Sequence, residues 1–126
     1  MKIGMIPGSG GSARLAKMIG ISRTKNIIMR GKRLSGEEAY QLGIACELVE
    51  KSELENMTNK IVKELLGVSP LAQRTIKSVL NATQNATLHT SIDLEGEAYG
   101  RLRSSNDFKE GVKSFSEKRP PSYKGN

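Results

Sequence analysis

The sequence is short of the residues that build metal centres and disulfides. Its 126 residues include one cysteine, Cys46, and one histidine, His89. One cysteine cannot form an internal disulfide, which suits a reducing compartment, and one Cys with one His is too small a set for a zinc or iron–sulfur site. Tryptophan is absent and aromatic residues make up 4% of the chain, so few rings are available to stack on nucleic-acid bases.

Long apolar runs are missing as well. No run of about 18 apolar residues occurs, which excludes a transmembrane helix, and the first residues lack the apolar centre of a signal peptide. These absences predict a cytoplasmic protein with no membrane partner. No phosphate-binding loop of the Walker type, nucleophile elbow or metal-binding spacing occurs, and the length fits one domain with a modest core.

Acidic residues are absent from the first 36 positions, which carry eight basic side chains, and the whole chain has a net charge of +7. An excess of this kind fits nucleic acid, a phosphorylated small molecule or an acidic partner protein, and it also fits a solvated face with no ligand. Charge alone does not decide between these interpretations. Nucleic-acid binding driven by phosphate contacts would weaken steeply with salt.

Apolar periodicity and capping residues predict a mostly helical first third. Three short helices are expected within residues 13–43, the second capped by Ser22 and the third by Ser35. Residues 44–50, IACELVE, are apolar and rich in strand-forming residues, so they predict a short strand. A lone strand has no sheet to join unless another chain or another copy provides one, and the chain therefore resembles part of a larger assembly.

Clear capping signals recur in the rest of the chain. Ser52 and Glu55 match an S-x-x-E capping box for a helix that ends at Gly67, and Ser69 caps the next helix with Pro70 at its first position. Two further helices are expected over about residues 88–102 and 107–118, and the helical pattern stops before the C-terminal prolines.

Few side chains suggest catalysis. His89 has no neighbouring nucleophile and is interpreted as structural or surface-exposed, and Cys46 is interpreted as a small buried residue. Glu95 falls on the apolar side of its helix, between Ile92 and Tyr99. A carboxylate there needs a partner, so it is either a structural ion pair at a helix or subunit contact, which is favoured, or a catalytic acid with a raised pKa.

The segment PGSGG at residues 7–11 is the best candidate for a ligand-facing element. Glycines allow close approach of the backbone and leave amides free at a helix start, although glycine-rich turns before helices are common. A C-terminal basic cluster could bind phosphates through Lys118, Arg119 or Lys124. A solvated tail is the simpler interpretation of that cluster.

Four blocks in this order carry a family resemblance. They are KIGMIPGSGGSARL, GKRLSGEEAYQLGIACELVE, SPLAQRTIK and EGEAYGRLRSSNDFKEGVKSFSEKRPPSYKG. Together the sequence resembles the crotonase family of enoyl-CoA hydratases and isomerases, from Lys2 to Gly125. The resemblance implies a mainly α chain with minor β, the C-terminal part of the ClpP/crotonase spiral fold. Residues 1–51 would complete the core, and residues 52–126 would form a helical trimerisation and oligomerisation region.

The resemblance also implies what the chain does not contain. Members of this family are about twice this length, and their N-terminal half supplies two oxyanion-binding amides and one of two catalytic glutamates. The second glutamate stands four residues before the glycine that matches Gly4, which falls just before Met1. No catalytic side chain is therefore expected in these 126 residues.

Four substrate-site positions carry over from the family, residue by residue. The amide of the glycine matching Gly8 lies near the reacting water, and Pro7 belongs to the same wall. The phenylalanine matching Phe115 lines the acyl or pantetheine channel, and the lysine matching Lys118 reaches coenzyme A phosphate at a trimer contact. The coenzyme A thioester is the substrate, and no cofactor or metal is expected.

The function expected from the resemblance is that of a subunit or C-terminal half of an acyl-CoA enzyme. Enoyl-CoA hydratase is favoured, in which water adds to a 2-enoyl-CoA through an enolate held by an oxyanion hole. The chain would be inactive without a separate N-terminal half and would self-associate as a trimer or hexamer. The alternatives are a non-catalytic oligomerisation or nucleic-acid-binding module, an inert truncated copy, or a piece cut from a longer enzyme.

Overall fold

The computed structural model describes residues 3–126. Lys2, where the family resemblance begins, lies outside these residues. Over the described residues the chain is formed by α-helices, a single 3-10 turn and loops, with no β-strand. It divides into two compact units, Met1–Leu54 and Glu55–Asn126.

The first unit begins with two short helices that pack together, α1 (Gly11–Ile19) and α2 (Ile21–Met29). Gly20 joins them with φ +81°, a conformation that favours glycine. The carbonyl of Gly20 accepts the Thr24 amide at 3.2 Å and the Thr24 hydroxyl at 2.9 Å. The prediction that Ser22 caps α2 is wrong, because the one-residue link at Gly20 lets the helix begin before Ser22.

Helix α3 (Gly36–Gln41) follows, and its capping is confirmed. The Ser35 hydroxyl accepts the Glu38 amide at 3.1 Å, and the Ser35 amide donates to the Glu38 carboxylate at 2.9 Å. This reciprocal pair is a capping box, which satisfies two amides that the start of a helix leaves unpaired. Gly43, with φ +72°, then turns the chain away from the helix.

The predicted strand at residues 44–50 is wrong for the described structure. The segment has no regular structure, and Leu48 lies instead against α3, with Cδ1 3.2 Å from the position that a Cβ of Gly36 would take. A strand needs a neighbouring strand to pair its amides and carbonyls, and the described residues offer none. The Ser52–Glu55 capping box is also wrong, because Ser52 lies inside the 3-10 turn Lys51–Glu53.

The second half of the chain contains four helices: α4 (Leu54–Leu66), α5 (Pro70–Thr83), α6 (Leu88–Arg103) and α7 (Asn106–Ser116). Helix α5 packs on α6, and α6 packs on α7. The hydroxyls of Ser69, Thr87 and Ser105 cap the last three helices by accepting amides at 3.1, 3.2 and 3.0 Å. Ser69 with Pro70 at the first position confirms the prediction for α5.

Most large apolar side chains of the described residues are exposed. Ile19 and Ala98 are the hydrophobic residues of this part of the chain that are buried. Helix α6 illustrates the pattern, because Leu88, Ile92 and Tyr99 are 78%, 59% and 61% exposed. Burial of apolar surface stabilises a fold by about 25 cal/mol per Å². Contacts that covered these exposed side chains would therefore add considerable stability to the single chain.

Candidate functional site

The glycine-rich loop at residues 7–11 forms a turn that leads directly into α1. The Gly8 carbonyl accepts the Gly11 amide at 3.0 Å, and Gly10 has φ +76° and stands at the N-cap without a side-chain cap. The Arg14 guanidinium braces the turn by donating to the Ser9 carbonyl. Hydrogen bonds within the loop and the positive φ of Gly10 therefore determine its conformation. The loop is exposed at the start of α1, where the partial positive charge of a helix N-terminus favours anionic or polarised groups.

Gly8 is the open point of the loop. A Cβ placed on Gly8 would meet no atom within 4 Å, whereas a Cβ on Gly10 would lie 2.9 Å from Nη1 of Arg14. Gly10 is required by its φ of +76°, which other residues rarely adopt, whereas Gly8 has no positive φ. The space at Gly8 is available to a ligand or to another part of a larger protein.

Phe115 and Lys118 lie together at the end of α7 in the second unit. The Phe115 ring is 88% exposed. Lys118 has φ +52°, and its amide donates to the Phe115 carbonyl at 3.2 Å while the Arg119 amide donates to the Ser114 carbonyl at 3.1 Å. This pair of bonds is a Schellman motif with lysine where glycine is usual. The turn fixes the direction in which the Lys118 side chain leaves the helix.

A three-way ion cluster holds the chain that follows. Arg119 donates to both oxygens of Glu110, at 2.6 and 3.0 Å, and to Glu117 at 2.6 Å. The Ser122 amide adds a 2.8 Å bond to Glu110. The hydrogen bonds from Arg119 and Ser122 lower the pKa of Glu110 from 4.5 to about 2, and the two carboxylates raise the pKa of Arg119. Arg119 is thus committed to the fold, unlike Lys118.

Sequence reasoning missed the buried carboxylate of Asp107, whose residue is 4% exposed. Its oxygens accept the Ser69 hydroxyl at 2.6 Å, the Lys124 amide at 2.9 Å and the Gly125 amide at 3.0 Å. The hydrogen bond from Ser69 is the main cause of a lowered pKa for Asp107. Asp107 thus fastens the C-terminal tail and the start of α5 to α7. The sequence does show an acid in the first turn of α7 and a Ser-Pro cap at the start of α5, but neither signal indicates that the two side chains meet.

The other candidates of the sequence lie on the surface. Glu95 is exposed on α6, on the same side as the exposed Ile92 and Tyr99, so its carboxylate is not buried among apolar side chains. His89 contacts Asp93 at 3.0 Å, and both side chains are well exposed. The interpretation of Cys46 as buried is wrong, since it is exposed in the segment that pairs with no strand. None of these three residues forms part of a catalytic cluster.

The described part of the chain contains no group of three His, Cys, Asp or Glu side chains that could hold a metal ion. Among residues 3–126, no helix has the length and apolar character needed to cross a membrane.

Comparison with known proteins agrees with this geometry. The family model "Enoyl-CoA hydratase/isomerase" matches residues 1–126. Mitochondrial methylglutaconyl-CoA hydratase of Mus musculus is 34% identical over 128 residues, covering 98% of this chain and 41% of the relative. Trans-2-decenoyl-(acyl-carrier-protein) isomerase of Streptococcus mutans is 34% identical over 125 residues, covering 99% of this chain and 48% of the relative.

Solved structures show the same fold relationship. An enoyl-CoA hydratase from Bacillus anthracis superposes with a TM-score of 0.96 at 34% identity, covering 99% of this chain and 48% of that one. An enoyl-CoA hydratase subunit from Geobacillus kaustophilus gives a TM-score of 0.93 at 35% identity, covering 99% and 49%. The chain spans about half the length of the proteins it matches. Its helices are those of the crotonase fold, and the chain belongs to the enoyl-CoA hydratase/isomerase family.

Proposed function

We propose that this chain is the C-terminal half of an enzyme that acts on acyl thioesters, with hydration of a 2-enoyl-CoA as the favoured reaction. The observation that carries the proposal is the loop at residues 7–11. Its turn is maintained by Gly10 and Arg14, while Gly8 presents an unobstructed backbone at the start of α1. The family match over residues 1–126 supports assigning this loop to the wall of the active site.

In this proposal the chain positions substrate, and it supplies no catalytic acid or base. Gly8 and Pro7 bound the space of the reacting water, and the Gly8 amide orients it. Phe115, which is highly exposed on this chain, lines the acyl or pantetheine channel. Lys118, whose side chain the Schellman turn directs outward, binds a phosphate of coenzyme A. The catalytic glutamates and the oxyanion amides belong to the other half of the fold.

The required partner is an N-terminal crotonase half supplied from outside these 126 residues. The exposed apolar side chains of α1, α2 and α6 support this requirement, because each loses stabilisation while it faces water. Matching relatives have about twice the length of this chain. The completed fold is proposed to assemble further into a trimer or hexamer through the helices that follow Ser52, where apolar faces are also exposed.

Double-bond isomerisation is the second candidate reaction. The Streptococcus mutans relative, an isomerase by name, is as similar to this chain as the mouse hydratase, each at 34% identity. Hydration and isomerisation both depend on carboxylates that lie outside this chain in the proposed scheme, so its own residues do not separate them. The name of the same relative also places its substrate on an acyl carrier protein. An acyl group carried by a protein is therefore the alternative to an acyl group carried by coenzyme A.

Capture of the tagged chain from its source cells, followed by intact-mass analysis, tests the proposal. We expect a stoichiometric second polypeptide that contains the N-terminal crotonase half, and we expect the captured pair to bind crotonyl-CoA. Recovery of only copies of this chain would contradict the two-part enzyme. A captured pair that binds no acyl thioester would contradict the function.

A further inference from the structure

The turn before α1 contains a serine with left-handed backbone geometry. Ser9 has φ +54°, and Gly10 beside it has φ +76°. The Gly11 amide closes the turn by donating to the Gly8 carbonyl at 3.0 Å. Two successive positive φ angles inside a closed turn are typical of type I′ geometry, which favours glycine, asparagine or aspartate at both central positions. Ser9 is therefore a point of backbone strain.

This strain is not explained by the end of a helix. Of the described residues, Ser9 and Lys118 alone combine a side chain with a positive φ. Lys118 belongs to the Schellman turn that ends α7, where a left-handed residue is normal. Ser9 precedes a helix instead of ending one. A strained residue of this kind persists only where neighbouring contacts hold it, and such residues cluster at functional sites.

Arg14 supplies the contacts that hold the turn. Its guanidinium donates to the Ser9 carbonyl, and its amide donates to the Gly10 carbonyl at 3.0 Å. The guanidinium also lies against Gly10, since a Cβ built on that glycine would be 2.9 Å from Nη1 and 3.2 Å from Cζ of Arg14. Hydrogen bonds from a charged donor are among the stronger ones in proteins. Arg14 thus stabilises the conformation in which Ser9 is left-handed.

The same turn determines where Gly8 lies. The Gly8 carbonyl is bonded to the Gly11 amide, and the Pro7 ring packs on Gly11, with its Cβ 3.5 Å from the position that a Cβ of Gly11 would take. Gly8 is therefore fixed through its neighbours on both sides. All of these contacts are made within residues 7–14, so they do not depend on what covers the surface of this half of the fold.

We propose that Arg14 is a positioning residue, which keeps Ser9 in its strained conformation and thereby holds the Gly8 amide beside the reacting water. This inference rests on the proposed function, which it deepens by naming a residue that acts through the loop without touching substrate. A backbone donor that is fixed before substrate arrives needs no reorganisation during the reaction. A displacement of about 1 Å can lower a rate by about 100-fold, so a loosened turn is expected to be costly.

The test measures kcat and KM for hydration of crotonyl-CoA by the captured pair, reassembled with variants of this chain. Arg14→Met should lower kcat by about tenfold or more and change KM by less than about threefold, because the Gly8 amide acts on the water and not on coenzyme A. Arg14→Lys keeps one charged donor and should recover part of the lost kcat. Arg33→Met removes an arginine from the loop between α2 and α3 and should leave both constants within about twofold.

A second substitution separates the turn from any other role of Arg14. Glycine adopts a positive φ without strain, so Ser9→Gly reduces the support that the turn needs. Ser9→Gly/Arg14→Met should raise kcat about threefold or more above Arg14→Met alone, and Ser9→Gly alone completes the double-mutant cycle. Hydrogen exchange of the Gly11 amide should be faster in Arg14→Met and slower again in the double variant.

Three outcomes would overturn the positioning role while the proposed function stands. These are an unchanged kcat in Arg14→Met, a raised KM with unchanged kcat, which would assign Arg14 to the thioester itself, and a loss of kcat that Ser9→Gly does not rescue. A lowered melting temperature without that rescue would show a merely structural role. An unmodified pair that turns over no acyl thioester would remove the proposed function and the positioning role together.

Discussion

Ser69 and Asp107 are joined by a 2.6 Å hydrogen bond between two helix starts that lie 38 residues apart in the sequence. The Ser69 hydroxyl also accepts the Ala72 amide, so one side chain caps α5 and fastens it to α7. The tail closes the same cluster, because Gly125 donates to Asp107 and its carbonyl accepts the Arg74 guanidinium at 3.0 Å. The second unit is therefore held by a polar cluster in addition to its few buried apolar contacts.

Ser69→Ala should destabilise the chain by about 2 kcal/mol, because it removes a helix cap and takes one of three donors from a buried carboxylate. Urea denaturation gives the free energy of unfolding. Ser78→Ala, at an exposed position of the same helix, should change it by less than about 0.5 kcal/mol. Equal effects of the two substitutions would show that the Ser69–Asp107 bond does not stabilise the fold.

Stability should fall in acid through Glu110 and Asp107. The folded-state pKa of each is lowered by hydrogen bonds, to about 2 for Glu110 from an ordinary value of 4.5. The unfolded chain therefore binds more protons between these values, so the stabilisation is complete above about pH 5 and is lost as pH falls toward 2. Denaturation midpoints measured across this range should decline with acid, and Glu110→Gln should flatten the decline. An unaltered profile in that variant would contradict the assignment.

Gly8 and Gly10 should respond differently to alanine. Gly10→Ala forces a side chain into φ +76° beside Arg14 and should cost about 1 kcal/mol or more. Gly8→Ala has free space for its methyl group and should leave the melting temperature unchanged while lowering turnover by the completed enzyme. Full activity of a correctly folded Gly8→Ala enzyme would remove Gly8 from the proposed site.

Lys118→Gly should stabilise the chain by up to about 1 kcal/mol, because glycine relieves the left-handed conformation of the Schellman turn. The same change should weaken binding of coenzyme A thioesters, since the proposed phosphate contact is lost. Lys124→Gly is a suitable comparison, because Lys124 has no positive φ. Undiminished thioester affinity in Lys118→Gly would remove Lys118 from the proposed phosphate contact.

Local chemistry made much of the helical structure predictable. Ser35 is followed by the acids of a capping box, and Ser69 is followed by a proline at the first helical position. Each of these capping signals involves residues no more than four positions apart in the sequence. The Ser22 and Ser52 predictions failed because a glycine link and a 3-10 turn shifted the neighbouring starts. Alternative helix starts near Ser22 and Ser52 differ little in free energy, and the sequence pattern does not show which start is the more stable.

Long-range features were less accessible. The segment at residues 44–50 has the composition of a strand, but a strand forms only where a neighbour pairs with it, and Cys46 is exposed for the same reason. The Ser69–Asp107 bond and the Glu110–Arg119 pair depend on tertiary packing that no local spacing reveals. For the candidate site, Pro7, Gly8, Phe115 and Lys118 came from the family resemblance, and their roles stay predictions.

We propose that this chain contributes to acyl-thioester chemistry only when the N-terminal crotonase half completes it. The most direct measurement is the hydration rate of crotonyl-CoA, followed by loss of the enoyl absorbance, for this chain alone and for the captured pair at equal concentration. We expect no turnover above the uncatalysed rate by the chain alone and clear turnover by the pair. Turnover by the chain alone would contradict this expectation, and so would an inactive pair on both enoyl-CoA and carrier-bound thioesters.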